Sequence, residues 1–195
     1  MYEAQKFEHL LGLEGFSEKL LKNHFTLYEG YVANVNKVSD AVAKLASEDK
    51  MATPEFAELT RRLGWEFNGM RLHELYFGNL MKDGSKLEAS SPLGEKIVQD
   101  FGSIENWEKQ FRATGAMRGI GWVVLYYDQD GDRLFNAWIN EHDSGHFAGA
   151  VPILVMDVFE HAYMTDYEIK KVDYIEAFMK NICFHVANAR FNSVE

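Results

Sequence analysis

Residues 156–163 read Met156-Asp157-Val158-Phe159-Glu160-His161-Ala162-Tyr163. An apolar run over 151–156 leads into this stretch and indicates a buried strand, so Asp157 is expected to leave a sheet into the protein interior. Asp157 and His161 are four residues apart, and a helical turn would place both side chains on one face. A carboxylate and a neutral imidazole that converge suit a redox metal such as iron or manganese. The spacing alone leaves open that Asp157 only caps the turn after the strand.

The first half of the chain has the periodicity of two long helices. Apolar residues recur at helical spacing after Ser17, a favourable helix start, and we predict a first helix that ends near Leu45. A polar linker over 47–53 follows, and Pro54 favours a second helix that runs to about Leu80. Two long helices joined by a short polar loop form an antiparallel hairpin.

The second half combines helical and β-rich segments. We predict, in chain order, helices over 93–101 and 104–115, strands over 121–127, 134–139 and 151–156, and helices over 171–180 and 184–191. The turn between the first two strands makes them a hairpin. The predicted fold class is therefore α+β: a long antiparallel helical hairpin in residues 1–83, then an α/β domain with a three-stranded antiparallel sheet in residues 84–195.

The composition limits the classes of function. The 195 residues carry a formal net charge of −10, which argues against binding to the phosphate backbone of nucleic acids. The apolar runs are too short to cross a bilayer, so we expect no membrane partner. Residues 1–9 lack the basic and apolar regions of a secretory signal, and a single cysteine, Cys183, excludes an intramolecular disulfide. These features predict a cytoplasmic location.

Two further histidines lie in the predicted hairpin. If its helices are antiparallel neighbours, His24 and His73 can face each other across the seam, and Asp157 and His161 would approach from the second half. Three imidazoles and one carboxylate leave room for solvent and a small substrate, which suits iron or manganese better than a closed zinc site. Taken alone, a histidine in an amphipathic helix is more often a hydrogen-bonded core residue, so both interpretations stay open.

The stretch over 157–163 resembles the Asp-x-Trp-Glu-His-Ala-Tyr signature of the iron/manganese superoxide dismutases. Other segments resemble parts of the same family in the same order. They are His24…Tyr31-Val32, Phe67-Asn68…His73, Gly119-Ile-Gly-Trp122 and, in the C-terminal helices, Tyr174-Ile175 with Arg190-Phe191. The resemblance covers nearly the whole chain, and it implies the same helical hairpin and three-stranded sheet.

The resemblance also implies a set of site residues. One iron or manganese ion per subunit would be bound by His24, His73, Asp157 and His161. The sequence does not distinguish iron from manganese, because the same four ligands serve both metals in the family.

The residues around the metal follow from the same resemblance. Trp122 would wall the pocket, Tyr31 would gate it and hand on protons, and Arg190 would lie near the substrate funnel. The family also places a Gln or His in hydrogen-bonding distance of the solvent bound to the metal. Because the second helix has Gly at position 69, His142 after the second strand is the best match and His146 is the alternative.

The family's reaction and assembly are the last expectations. The reaction is the disproportionation of superoxide into dioxygen and hydrogen peroxide, so superoxide is the expected substrate. Family members pair as dimers through the signature: Glu160 of one subunit would hydrogen-bond to the imidazole at position 161 of the other, with Tyr163 at the same bridge. The resemblance therefore implies a homodimer.

Departures from the family pattern keep other functions open. The interval from His24 to Tyr31 is seven residues, which fits a plain α-helix, Phe159 replaces the signature Trp, and Tyr28 stands where a second His is usual. A non-enzymatic metal-binding or interaction protein that retains the fold is one alternative. Hydrolysis at a zinc-loaded site is a weaker one, because the sequence contains no His-Glu-x-x-His motif or nucleophile elbow.

Overall fold

Two long helices form the first half of the protein. In the computed structural model, which describes residues 1–194, α1 spans Glu18–Ser47 and α2 spans Pro54–Gly78. The ring of His24 contacts Phe77, whereas the ring of Tyr31, two turns further along α1, contacts His73. The order of these contacts is reversed between the helices, so they run antiparallel and the predicted helical hairpin is confirmed.

Five shorter helices surround the second half. They are α3 Pro92–Phe101, α4 Ile104–Gly115, α5 Met164–Tyr167, α6 Lys171–Lys180 and α7 Phe184–Asn192. The sequence did not predict the four-residue α5, which is too short for a periodic signal. Within residues 1–194, no helix has both the length and the apolar content that crossing a bilayer requires.

The sheet has three antiparallel strands, as predicted. β1 spans Gly121–Asp128, β2 spans Arg133–Asn140 and β3 spans Val151–Asp157, in the order β2-β1-β3. The central strand β1 is buried along nearly its whole length, which is why its residues are apolar or aromatic almost throughout. The register pairs Trp122 with Asp157, so both residues lie at the same end of the sheet.

Asn79 joins the hairpin to the sheet. It follows the last residue of α2, and its side-chain amide donates to the Val155 carbonyl at 3.1 Å and accepts from the Val155 amide at 3.0 Å. This pair of hydrogen bonds replaces a missing strand neighbour on β3 and fixes the end of α2 against it. His73, six residues earlier, is thereby held beside the end of β3.

The division of the chain into two domains stays a prediction. The expected boundary between residues 83 and 84 falls in the segment between α2 and α3. Glu195, the last residue of the expected second domain, lies outside the described residues.

Candidate metal centre

Asp157 is the last residue of β3, and His161 belongs to a short 3-10 turn over Glu160–Ala162. The spacing of four does not arise from a continuous helical turn, because the strand continues to Asp157, the backbone stays extended at Phe159 and the 3-10 turn begins only at Glu160. The two side chains meet all the same, with His161 Nε2 3.1 Å from Asp157 Oδ2. The 3-10 turn therefore brings the two side chains together without a continuous helix.

The two interpretations of Asp157 are compatible. Its Oδ1 accepts a hydrogen bond from the Phe159 amide at 2.8 Å, so it does cap the turn after the strand. Its Oδ2 points the other way, toward the imidazoles. The Tyr174 hydroxyl donates to the Asp157 carbonyl at 2.6 Å, which fixes the backbone as well. One carboxylate oxygen therefore caps the turn, and the other is available to bind a metal ion.

The other two imidazoles converge on the same oxygen. From Asp157 Oδ2, His24 Nε2 lies at 3.2 Å and His73 Nε2 at 3.6 Å. One ligand atom from each of the four residues, His161 included, lies within 4.8 Å of all the others. Each residue comes from a different element: α1, α2, the end of β3 and the turn after it. The structure thus brings together the four predicted ligands.

The hydrogen bonds of His73 show that this group of atoms fits a cation. Its Nδ1 lies 2.5 Å from the Gly69 carbonyl, which can only accept, so Nδ1 carries the proton and Nε2 has a free lone pair. That Nε2 is buried and has no hydrogen-bond partner in the part of the chain that the structure describes. A buried acceptor is normally paired. A metal ion among the four residues would satisfy it.

Electrostatics favour the charge states that bind a metal. Burial lowers the pKa of His24 and holds the pKa of His73 well below its ordinary value, so both rings are neutral at neutral pH. Burial acts in the opposite direction on Asp157, but the imidazoles of His161 and His24 outweigh it and hold the pKa of that carboxyl far below its usual range. Three imidazole nitrogens and one anionic oxygen form a donor set suited to iron or manganese.

A second group of polar residues lies beside the ligands. The indole nitrogen of Trp122 donates to His142 Nδ1 at 3.0 Å, and His142 Nε2 lies 2.7 Å from the Tyr31 hydroxyl. The ring of Tyr31 stacks on His73 at 5.2 Å between centroids. These are three of the residues that the resemblance predicted around the metal, and they form one hydrogen-bonded chain next to it.

The indole N–H of Trp122 fixes which atom donates in each hydrogen bond of the series Trp122–His142–Tyr31. An indole N–H can only donate, so His142 Nδ1 is an acceptor and the neutral ring carries its proton on Nε2. Burial lowers the pKa of His142 to about 4, which keeps the ring neutral. His142 therefore donates to the Tyr31 oxygen and leaves the phenolic proton free to point elsewhere. Burial raises the pKa of Tyr31 to about 12, so this proton is retained at neutral pH.

Phe159 packs between the two groups. Its ring stacks on His142 at 4.7 Å and on His161 at 5.1 Å. A bulkier indole, as in the family signature, would have to share this gap with both imidazoles. The uninterrupted α1 accommodates the seven-residue interval from His24 to Tyr31, as the sequence predicted.

The remaining predicted residues lie apart from the ligands. Arg190 donates to the Leu75 and Ile153 carbonyls at 3.0 and 3.1 Å and so joins α2 to β3. Its role at a substrate funnel stays a prediction. His146 lies 2.9 Å from the His142 carbonyl and 2.8 Å from the Tyr126 hydroxyl, so it braces the loop that carries His142.

The two predicted dimer residues differ in exposure. Glu160 is exposed, and the His161 side chain keeps 27% of its surface exposed while the other three ligands are fully buried. Tyr163 is buried and its ring stacks on Tyr174. These positions leave the dimer contact a prediction.

Sequence reasoning missed Tyr174 and Asn79 as supports of the site, and Trp65 as a neighbour of His142 at 4.9 Å between ring centroids. Tyr174 was quoted only as part of the family resemblance, with no role assigned, because Tyr174 and Asn79 act on backbone groups that are far from them in sequence. Trp65 had a signal: it lies two turns before His73, on the side of α2 that faces the site.

A buried centre of three histidines and one aspartate, held between a helical hairpin and a three-stranded sheet, is a candidate metal site whose donor atoms suit iron or manganese. Comparison with known proteins agrees. The family model for iron/manganese superoxide dismutases, C-terminal domain, matches residues 89–190.

Relatives extend this similarity to the helical hairpin. The chain is 36% identical to superoxide dismutase [Fe] of Aquifex pyrophilus, over 98% of this chain and 92% of the relative. It is 39% identical to superoxide dismutase [Fe] of Cupriavidus metallidurans, over 92% and 90%. It is 32% identical to superoxide dismutase [Mn] 2 of Haloferax volcanii, over 90% and 86%. The chain belongs to the iron/manganese superoxide dismutase family, and the predicted resemblance is confirmed.

Proposed function

We propose that the protein catalyses the reaction of two superoxide anions and two protons to give dioxygen and hydrogen peroxide. The observation that carries the proposal is the convergence of three imidazole Nε2 atoms and Asp157 Oδ2, with the Nε2 of His73 unpartnered among residues 1–194. This arrangement occurs in a chain whose relatives bear the name superoxide dismutase. Those names do not favour a non-enzymatic or hydrolytic role.

An iron or manganese ion held at this site would supply the one-electron redox chemistry that the disproportionation of superoxide requires. One ion per chain would be held by His24, His73, Asp157 and His161. The single negative charge of Asp157 favours the higher oxidation state of the ion. Iron and manganese both fit this donor set, and relatives bearing each metal's name support either.

The chain's own residues supply and direct protons. Trp122 orients His142, and His142 donates to the Tyr31 oxygen, so the phenolic proton of Tyr31 is available to the peroxide product. Trp122 and Phe159, whose ring centroids lie 6.1 Å apart, are both buried beside His142. The Tyr31 hydroxyl is the proton donor that this arrangement offers to the product.

The assembly and the location belong to the same proposal. A homodimer would cover the exposed side of His161, with Glu160 and Tyr163 of each subunit at the bridge. The absence of disulfides favours the cytoplasm, since the single cysteine, Cys183, is free. Sedimentation of the metal-loaded protein at micromolar concentration is expected to show a dimer, and a monomer that retains its metal would contradict the bridge.

Metal reconstitution tests the reaction. Protein loaded with iron or with manganese is expected to bind about one ion per chain and to accelerate the decay of superoxide, followed directly by its ultraviolet absorbance. Metal-free and zinc-loaded protein serve as controls and should give no acceleration, because zinc has no redox chemistry. If iron and manganese both bind stoichiometrically without acceleration, the non-enzymatic alternative is correct.

A further inference from the structure

One face of α2 leads from solvent into the site. Arg62, Glu66, Gly69 and His73 follow each other at intervals of four, three and four residues, and Trp65 lies three residues after Arg62 and four before Gly69, so all five lie along one side of the helix. At the inner end His73 is a proposed ligand. At the outer end the Arg62 side chain is 43% exposed. This row connects the surface to the metal centre.

Arg62 and Glu66 form an uneven ion pair. Both the Nε and the Nη2 of Arg62 lie 2.7 Å from the same oxygen, Glu66 Oε1. Glu66 is 2% exposed, and its other oxygen, Oε2, has no hydrogen-bond partner within residues 1–194. A buried carboxylate paired with a half-exposed guanidinium gives the row a positive outer side and a negative inner side.

Trp65 connects this pair to the site. The guanidinium of Arg62 lies 5.2 Å over the Trp65 ring, and that ring contacts His142 edge-on at 4.9 Å. One aromatic ring therefore separates the Arg62 charge from His142. One turn inward, Gly69 leaves room for Tyr31: a Cβ at this position would lie 2.6 Å from the Tyr31 ring.

The charges of the pair act at the site itself. Burial is the main cause of the pKa shifts of Tyr31 and His142, but Arg62 lowers the pKa of both groups and Glu66 raises that of Tyr31. An anion that approaches Tyr31 would experience the same two opposing charges. The chain as a whole has a net charge of −10, so approach of an anionic substrate depends on local positive groups.

We infer that Arg62 guides superoxide to the site and that Glu66, by neutralising part of its charge, limits this guidance. The inference rests on the proposed function, since it concerns the same substrate. It assigns the guiding role to Arg62, at a position where the sequence suggested none.

The two residues predict rate changes of opposite sign. At an ionic strength of about 0.01 M, Arg62→Gln is expected to lower the second-order rate constant about two- to fivefold, and Glu66→Gln to raise it by a similar factor. Both differences should shrink toward none near about 1 M salt, where the screening length is about 3 Å. A purely structural role would lower the rate in both variants and leave the salt dependence unchanged.

Matched variants separate local from overall charge. Lys109→Gln and Glu105→Gln change the net charge equally in another helical ion pair, on α4, and are expected to leave the rate within about 1.5-fold. Arg62→Lys keeps the charge and should keep the salt dependence. Circular dichroism and metal content confirm folding. If Arg62→Gln fails to fold, Glu66→Gln alone decides, because an unchanged or lower rate overturns the inference. An inactive loaded wild type overturns the proposed function instead.

Discussion

The inner group of four candidate ligands, Asp157 and the three histidines around its Oδ2, lies next to the outer chain Trp122–His142–Tyr31, but the polar atoms of the two are hydrogen-bonded to different extents. In the inner group, the Nε2 of His73, which faces the other ligand atoms, lacks a hydrogen-bond partner within the described chain. In the outer chain, both nitrogens of His142 and the indole nitrogen of Trp122 have partners at 2.7–3.0 Å. The inner group has a buried acceptor that only a bound ion would pair, whereas the polar atoms of the outer chain are already paired with each other.

The difference indicates how the site is assembled. An unpaired buried polar group costs about 1–3 kcal/mol, so metal-free protein carries this cost at the inner group until an ion binds. The outer chain, which ends at the Tyr31 hydroxyl, is formed by the fold alone. Metal binding should therefore stabilise the inner group and leave the outer chain unchanged.

The first prediction removes the atom on which the inner group converges. Asp157→Asn keeps an oxygen that can cap the Phe159 amide but removes the negative charge that faces the imidazoles. We expect metal content to fall below about 0.1 ion per chain and the dismutation rate to fall more than about 1000-fold, equivalent to about 4 kcal/mol. Elemental analysis and direct superoxide decay measure both.

Asp130→Asn, in the exposed turn between β1 and β2, is the control and should change neither quantity. A variant at position 157 that keeps its metal and its rate would show that the inner group binds the ion without the carboxylate.

The helical hairpin and the sheet could be predicted from sequence because their signals are local. Ser17 and Pro54 mark the starts of α1 and α2, and the apolar run before Asp157 marks β3. The short α5 and the 3-10 turn at Glu160 gave no periodic signal, since each contains only three or four residues.

The site was predictable only in part, for a related reason. The four ligands could be named because the stretch around Asp157 resembles a known signature. The sequence did not fix the backbone between Asp157 and His161, because a spacing of four fits both a helix and a strand followed by a tight turn. The Arg62–Glu66 pair was not recognised, since an acid and a base four residues apart are common on solvated helices.

The second prediction concerns the loss of stability at acidic pH that the buried His142 of the outer chain causes. The pKa of His142 is about 4 in the folded protein and about 6.5 in an unfolded chain, so between these values the unfolded state binds a proton that the folded state does not. The contribution of His142 to the free energy of unfolding is therefore fully present above about pH 6.5. It falls by about 3 kcal/mol as the pH decreases toward 4.

Denaturant unfolding of metal-free wild type and His142→Gln at pH 7 and pH 4 measures that contribution. Gln can accept from Trp122 and donate to Tyr31 but does not titrate, so its loss of stability should be smaller by about 3 kcal/mol. Equal losses in both proteins would mean that the inner histidines account for the acid sensitivity.

The third prediction concerns Phe159, whose ring stacks on one imidazole of each group. Phe159→Trp adds volume to a buried gap, and we expect about 1 kcal/mol of lost stability and less than about a threefold loss in rate, because the rings can separate slightly. Phe159→Leu leaves the same rings without a stacking partner and is the matched comparison. Thermal unfolding and superoxide decay give both quantities. A rate loss above tenfold in the Trp variant would contradict this prediction. It would show that His142 and His161 cannot move apart enough to admit the indole without loss of activity.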